Sequence, residues 1–199
     1  PSTTGAESDK GEVNPTGFAV GKDGTLWACG QGADAKSWIL RCDPAAKKLE
    51  TWASSDDNGI AINSPMQILV EDDGHLLVLY SGAGGKEDGL IARWNIADKK
   101  VVKKWTLHGL VDPMGMDFIP ESKELVVVDN NWALTEVKNG KLARVSLGDG
   151  EAATGKVIGT KLRGPVACRF GPDKKLYIAQ LGAEFDKAEG AIFAVDGIK

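Results

Sequence analysis

The sequence predicts an all-β fold built from about four repeats of roughly fifty residues, each repeat a small antiparallel sheet. Three observations carry this expectation. A proline phrase recurs at Pro15, Pro65, Pro113 and Pro165, which stand 50, 48 and 52 residues apart. In every copy the third and fifth residues after the proline are apolar (Phe18 and Val20, Ile68 and Val70, Met116 and Phe118, Cys168 and Phe170), which is the period-two spacing of a strand. Composition agrees: 25 glycines and 6 tryptophans suit many short strands and turns, and 2 histidines leave little material for a histidine metal centre or general base.

The elements follow in order within each repeat. The first strand starts at the proline, in the phrases NPTGFAVGKDGTLWACG, SPMQILVEDDGHLLVLY, DPMGMDFIPESKELVVVD and GPVACRFGPDKKLYIAQ. A tight polar turn closes it at KDG (22–24), EDDG (71–74), PESKE (120–124) and PDKK (172–175). The second strand reads LWAC, LLVL, LVVV and LYIA, so each unit opens as a hairpin. A longer loop leads to a third strand, WILRCD, LIARWN, KLARVS and AIFAVD, with Arg41, Arg93 and Arg144 in register. A fourth strand reads LETW and VVKKW, ending in Trp52 and Trp105, and less regularly GKVIGT in the third unit. The units span 14–62, 63–111, 112–162 and 163–199, and the last stops after its third strand. A polar segment, 1–13, precedes them and is a poor strand former by composition.

Four antiparallel strands per unit is how a β-propeller blade looks in sequence. No Gly-His is followed by a Trp-Asp as in WD repeats, the adjacent glycines Gly84 and Gly85 do not recur as a kelch pair would, and no 3.6-residue period supports a helical solenoid. Net charge is -4, with lysines interleaved among acids, which argues against a nucleic-acid partner. No apolar run reaches the ~18 residues of a membrane helix, so no membrane partner is expected. Cys29, Cys42 and Cys168 are too few for a disulfide framework and lack a CxxC spacing; they read as small buried hydrophobes, with one disulfide left open. The chain starts at Pro1 without a signal pattern, as a processed or truncated terminus would, and compartment stays open.

The hairpin phrases GFAVGKDGTLWACG, GMDFIPESKELVVVDNN and ACRFGPDKKLYIAQLG resemble blades of the gluconolactonase, senescence-marker-protein and luciferin-regenerating family, and almost as much NHL repeats, over about residues 13–199. The resemblance implies a six-bladed propeller, so four units imply either a small ring closed by strand exchange or part of a larger propeller. It also implies one divalent cation held by an Asn and an Asp at strand-one starts and a Glu from another blade, hard oxygen ligands suited to Ca²⁺ and to polarising a lactone carbonyl. Here Met114 stands at the Asn position of Met114-Gly115-Met116-Asp117-Phe118, and Val166 stands where a Pro-Asp-Gly phrase would supply the Asp. Asn63, two residues before a proline, occupies a place comparable to the Glu and is the sole metal candidate. No cofactor is predicted, and Ca²⁺ belongs only to a hydrolase alternative.

Other catalytic patterns fail. No G-x-S-x-G elbow is present, GQG and GAGG are not followed by Lys-Ser/Thr or a helix, and SSDDNG (54–59) lacks the Glu of a calcium loop. His75 and His108 read as solvated surface histidines. Asp117 is the one catalytic candidate, weighed against an ion pair with Arg169, which holds the same place in the next unit.

In a propeller, strand-one starts and the loops between strands two and three line one mouth. The residues after the prolines are Thr16, Met66, Met114 and Val166, and the loops add Asp129, Asn130, Trp132 and Gln180. With Asn63 these form the predicted mouth. Its loops carry eight acids against four lysines above a largely apolar floor, a pattern common to small-molecule and peptide pockets; plugging of the axis by the same side chains is the plainer reading. The three methionines at strand-one starts fit gap-filling better than copper, since no His or Cys accompanies them. The leading expectation is a β-propeller binding module whose mouth takes a small molecule or a protein segment. The alternative is a lactone- or ester-cleaving hydrolase with an altered metal site. A third expectation is self-association, or completion by another chain, through an open sheet edge.

Overall fold

The computed structural model describes residues 6–8, 11–43, 45, 49–62, 64–71, 74–131, 139–182 and 187–198. Among them there is no α-helix. One 3-10 turn, Asp56–Asn58, accompanies sixteen strands, so the chain is all-β as predicted. The chain divides into two compact units, residues 1–80 with 91–104 and residues 81–90 with 105–199.

The first unit holds a five-stranded antiparallel sheet, β1 (Ala6–Ser8), β2 (Gly11–Val20), β3 (Leu26–Gly32), β4 (Ser37–Cys42) and β5 (Leu49–Ser54), in chain order. It also holds β6 (Pro65–Val70), β7 (His75–Tyr80), most of β8 (Leu90–Asn95) and the start of β9 (Lys100–His108). Strands appear where the period-two phrases predict them. The polar segment 1–13, read as lying outside the sheets, instead contributes β1 and the start of β2, paired Ala6 to Val13. Ladder hydrogen bonds come from the backbone, so a segment of low strand propensity pairs wherever a neighbouring strand offers its edge.

Two features tie β2 to β6. A Cβ on Gly17 would stand 2.6 Å from the Met66 carbonyl oxygen and 2.7 Å from the Gln67 Cα, so only glycine lets the two inner strands approach this closely. The Thr16 hydroxyl reaches the Pro65 carbonyl, and Gln67 Nε2 donates to the Phe18 carbonyl at 3.3 Å. The core of the unit is aromatic. Trp52 packs edge-on against Trp27 at 5.1 Å and against Trp94 at 6.0 Å, the Arg41 guanidinium covers Trp27 at 5.7 Å, and the buried hydroxyls of Tyr80 and Ser55 lie 2.7 Å apart.

The second unit holds β10 (Pro113–Phe118), β11 (Leu125–Asp129), β12 (Gly140–Val145) and β13 (Ala152–Leu162), and then β14 (Pro165–Phe170), β15 (Leu176–Gln180) and β16 (Ala191–Val195). The end of β9 pairs in parallel with β13, Thr106 to Ala152 through His108 to Thr154. Loop 81–90 belongs here because the Gly85 N–H donates to Asp112 Oδ1 at 3.0 Å and the Gly109 N–H donates to Glu87 Oε2 at 3.1 Å. The core joins the two sheets: Ile119, Val126, Val128 and Leu142 of one pack with Cys168, Leu176 and Ile178 of the other, and Phe170 and Phe193 border them. Gly115 admits the second sheet as Gly17 does in the first unit, since a Cβ there would meet the Ala167 Cα at 2.8 Å.

All four inner hairpins share a construction. Their turns are closed by the hydrogen bonds Gly21 to Thr25, Glu71 to His75, Ile119 to Glu124 and Gly171 to Lys175, at 2.7–2.9 Å. Two of the three register arginines act alike, Arg93 gripping Glu71 through Nε at 2.8 Å and Nη2 at 2.9 Å and Arg144 Nε lying 3.2 Å from Glu124, whereas Arg41 lies over Trp27. His108 is exposed as expected, but His75 begins β7 and is half-buried. Cys29 and Cys168 are buried, Cys42 is half-buried, and none is in a disulfide.

Candidate ligand-binding site

Each inner strand carries a register break one residue after its proline, between Pro15 and Gly17, Pro65 and Gln67, Pro113 and Gly115, and Pro165 and Ala167. The residues skipped by the ladder are Thr16, Met66, Met114 and Val166, four of the nine predicted mouth residues. A bulge turns its side chain off the regular alternation, and such bulges gather at sheet rims and beside functional sites. Repetition at four equivalent positions makes this a property of the repeat. The residues paired with the prolines are Gly30, Tyr80, Asp129 and Gln180, so the ends of strands two lie beside the bulges.

In the first unit, the Thr16 hydroxyl is occupied by the Pro65 carbonyl and lies 3.2 Å from the Cys29 carbonyl, while Met66 is half-buried. Burial pushes the Cys29 thiol up to about 12, against weaker opposing hydrogen bonds from Thr16 and Gly17, so it is no nucleophile at neutral pH. Asn63 lies outside the described residues.

The second unit gathers Met114, Asp129, Asn130, Val166 and Gln180 at the proline ends of its two hairpins; Trp132 lies outside the described residues. Asp129 is fully buried and accepts the N–H groups of Asp112 at 2.7 Å and Val111 at 3.1 Å, with Lys141 Nζ 3.8 Å away. Desolvation raises its carboxyl above the ordinary range, and the two backbone donors and Lys141 oppose that rise. This carboxylate clamps the loop before Pro113. Gln180 likewise uses Oε1 to accept the Arg163 N–H at 3.1 Å. Asn130 donates through Nδ2 to the Pro165 carbonyl at 3.0 Å and so links the two hairpin ends. Its Oδ1, and that of the left-handed Asn131 (φ 59°), are buried without a hydrogen-bond partner. Sequence reasoning missed Asp112 and Asn131: nothing in the spacing marks a buried acid before a proline, although Asn in the doublet Asn130-Asn131 is a residue type that tolerates the left-handed turn.

Asp117, the catalytic candidate, accepts the Phe170 N–H at 2.7 Å and lies 3.2 Å from Arg169 Nη1. Its side chain is 16% exposed and that of Arg169 43%, so the pair forms a half-buried tie between the third and fourth repeats. The residues do not fit the cation that the resemblance implies. Met114 and Val166 offer no oxygen, and among the described residues no three His, Cys, Asp or Glu side chains converge as a metal site. No helix of the structure is long and apolar enough to cross a membrane.

No protein-family model matches the chain, and no curated protein matches it. Solved structures do. One assigned as a candidate gluconolactonase is 18% identical with a TM-score of 0.57, over 85% of this chain and 57% of its own. A candidate 6-phosphogluconolactonase from Bacteroides uniformis is 11% identical with a TM-score of 0.51, over 92% and 56%. An α-L-arabinofuranosidase from Clostridium thermocellum is 8% identical with a TM-score of 0.59, over 88% and 63%. The chain thus spans little more than half the length of the structures it matches. At these identities the likeness is one of fold, and gluconolactonase-named structures are among those matched, as the hairpin phrases imply.

Proposed function

We propose that the repeats are blades of a β-propeller and that the proline ends of the third and fourth blades bind a small polyhydroxylated, sugar-derived molecule. The observation that carries this reading is the pair of buried amide oxygens on Asn130 and Asn131, beside the bulged residues Met114 and Val166. A buried acceptor without a donor costs about 1–3 kcal/mol, and a ligand hydroxyl supplies the missing donor. Met114 and Val166 add apolar surface for the carbon skeleton. The gluconolactonase, the phosphogluconolactonase and the arabinofuranosidase are named for sugar-derived substrates, which supports the ligand class and leaves the chemistry open. Asp117 and Asp129 are each engaged by backbone N–H groups and a basic side chain, which favours binding without turnover.

The second reading, a lactone hydrolase, draws on the two lactonase-named neighbours. Calorimetry with gluconate and with glucono-1,5-lactone, paired with a lactone-hydrolysis assay with and without added Ca²⁺, separates the readings. Saturable binding, weakened about tenfold or more by Asn130→Ala in a chain that keeps its circular dichroism, and no hydrolysis above background are expected. Turnover that disappears with chelator and with Asn63→Ala would establish the hydrolase instead. Failure of both ligands to bind would end the first reading.

A further inference from the structure

The third repeat departs from the second and fourth where its second strand ends. In those two repeats Tyr80 and Gln180 pair with the repeat proline, and two residues on stand Gly82 (φ 81°) and Gly182 (φ 108°), both left-handed. In the third repeat Asp129 pairs with Pro113, and the residue two on is Asn131, left-handed at φ 59°. A side chain is kept where the neighbouring repeats place glycine, and backbone held in this way is found where a site needs the group that it carries.

Asp112 and Asp129 are locked together beside this turn. Asp129 Oδ1 accepts the Asp112 N–H at 2.7 Å, and the Asp112 carbonyl accepts the Asn130 N–H at 2.9 Å. Both acids are fully buried. Lys141 Nζ stands 3.8 Å from Asp129 and divides itself with the Gly109 carbonyl at 3.5 Å. Asn130 Nδ2 faces the Pro165 carbonyl at 3.0 Å, because an oxygen turned that way would meet another acceptor, so Oδ1 takes the other fork of the amide. Asn130 is 1% exposed and Asn131 5%, and both Oδ1 atoms lack a donor. The unmatched atoms beside the two carboxylates are therefore both acceptors.

A sugar hydroxyl supplies one donor to such a place, whereas an ammonium supplies three, each strengthened by its charge. We propose that this end of the second unit selects a sugar-derived ligand carrying a protonated amine, an amino sugar or amino polyol, over its neutral counterpart, and disfavours the corresponding sugar acid. The inference rests on the polyol reading above and adds the charge of the ligand to it. A ligand carboxylate would meet two acceptors and the like charge of Asp112 and Asp129. The basic residue that opposes this at the fourth-repeat end is Arg163, which is exposed and whose N–H is taken by Gln180.

Calorimetry on the whole chain with D-glucamine, sorbitol and gluconate tests it, since the three share one carbon skeleton and differ at a single carbon. Near neutral pH and at low salt, glucamine is expected to bind about tenfold or more tighter than sorbitol, and gluconate about tenfold weaker than sorbitol. Raising NaCl from about 20 to 200 mM should weaken glucamine several-fold and leave sorbitol unchanged. Asn131→Gly suits the left-handed turn as Gly82 and Gly182 do, so it is expected to fold and to weaken glucamine about tenfold. Asp112→Asn, which keeps an oxygen for the Gly85 N–H, is expected to shrink the advantage of glucamine over sorbitol. Equal affinities for glucamine and sorbitol, or gluconate as tight as glucamine, overturn the charge selection and leave the polyol reading standing. A preference for gluconate that disappears in Arg163→Ala assigns the site to a sugar acid instead. Unaltered glucamine affinity in Asn131→Gly also overturns the proposal, because the amine then sits elsewhere. Binding of none of the three ends the polyol reading and this inference with it.

Discussion

Adding one methyl group at Gly115 tests how the third and fourth repeats are held together. The new Cβ would lie 2.8 Å from the Ala167 Cα, 3.1 Å from the Cys168 nitrogen and 3.2 Å from Val128 Cγ2. Two of the three are backbone atoms of a paired strand, so neither can move aside as a flexible side-chain end does. Gly115 does not have a left-handed φ, so alanine suits its backbone and would gain about 0.4–1 kcal/mol by restricting the unfolded chain. Overpacking costs about 1–3 kcal/mol and wins. The expected net loss is about 1–2 kcal/mol, which for a chain of this size lowers the melting temperature by roughly 2–8 °C in calorimetry. Gly148→Ala is the control, because a Cβ there meets nothing within 4 Å. Equal melting temperatures for Gly115→Ala and Gly148→Ala would refute the argument that close strand approach requires glycine.

Other outcomes follow from the same contacts. Asp117→Ala leaves the Phe170 N–H without its acceptor and should cost about 1–3 kcal/mol in denaturant unfolding, whereas Arg169→Ala, which removes a half-exposed partner, should cost under about 1 kcal/mol; equal losses would show that the ion pair dominates. Because burial raises the Asp129 carboxyl, the folded chain holds that proton more tightly than the unfolded chain. Its contribution is fully present below the unfolded value near pH 4 and is lost as pH rises through the folded value, so Asp129→Asn should flatten the decline of the denaturation midpoint over that window. An unchanged decline counts against a raised value. Of the three thiols, only Cys42 should react with a disulfide reagent in the native chain at pH 8, and all three after unfolding, since Cys29 and Cys168 are buried and their thiols are raised by desolvation. Rapid labelling of Cys168 in the native state would show that the sheet interface opens.

The repeat was legible because every copy keeps the same local chemistry: proline at the strand start, alternating apolar residues, and turn residues at fixed offsets. These features act over a few residues, so the sequence by itself determined the hairpins, the aligned third strands and the strand starts at Thr16, Met66, Met114 and Val166, where the ladder registers then show bulges. Segment 1–13 defeated that logic, because a polar strand such as Ala6–Ser8 forms through the edge offered by β2 rather than through its own side chains. The candidate site was half legible for the same reason. Asp129 and Asn130 stand at predictable loop starts, but whether their polar atoms are satisfied depends on residues far away in the chain. The Asp112 N–H, 17 residues distant, and the Pro165 carbonyl, 35 residues distant, decide it. Only the tertiary structure could therefore show that Asp129 is a clamp, that Asn130 and Asn131 keep unmatched oxygens, and that Phe18 and Ile192 remain exposed where equivalent positions are buried. Hydrogen-bond satisfaction and burial belong to neighbours that folding brings together, and no local pattern encodes them.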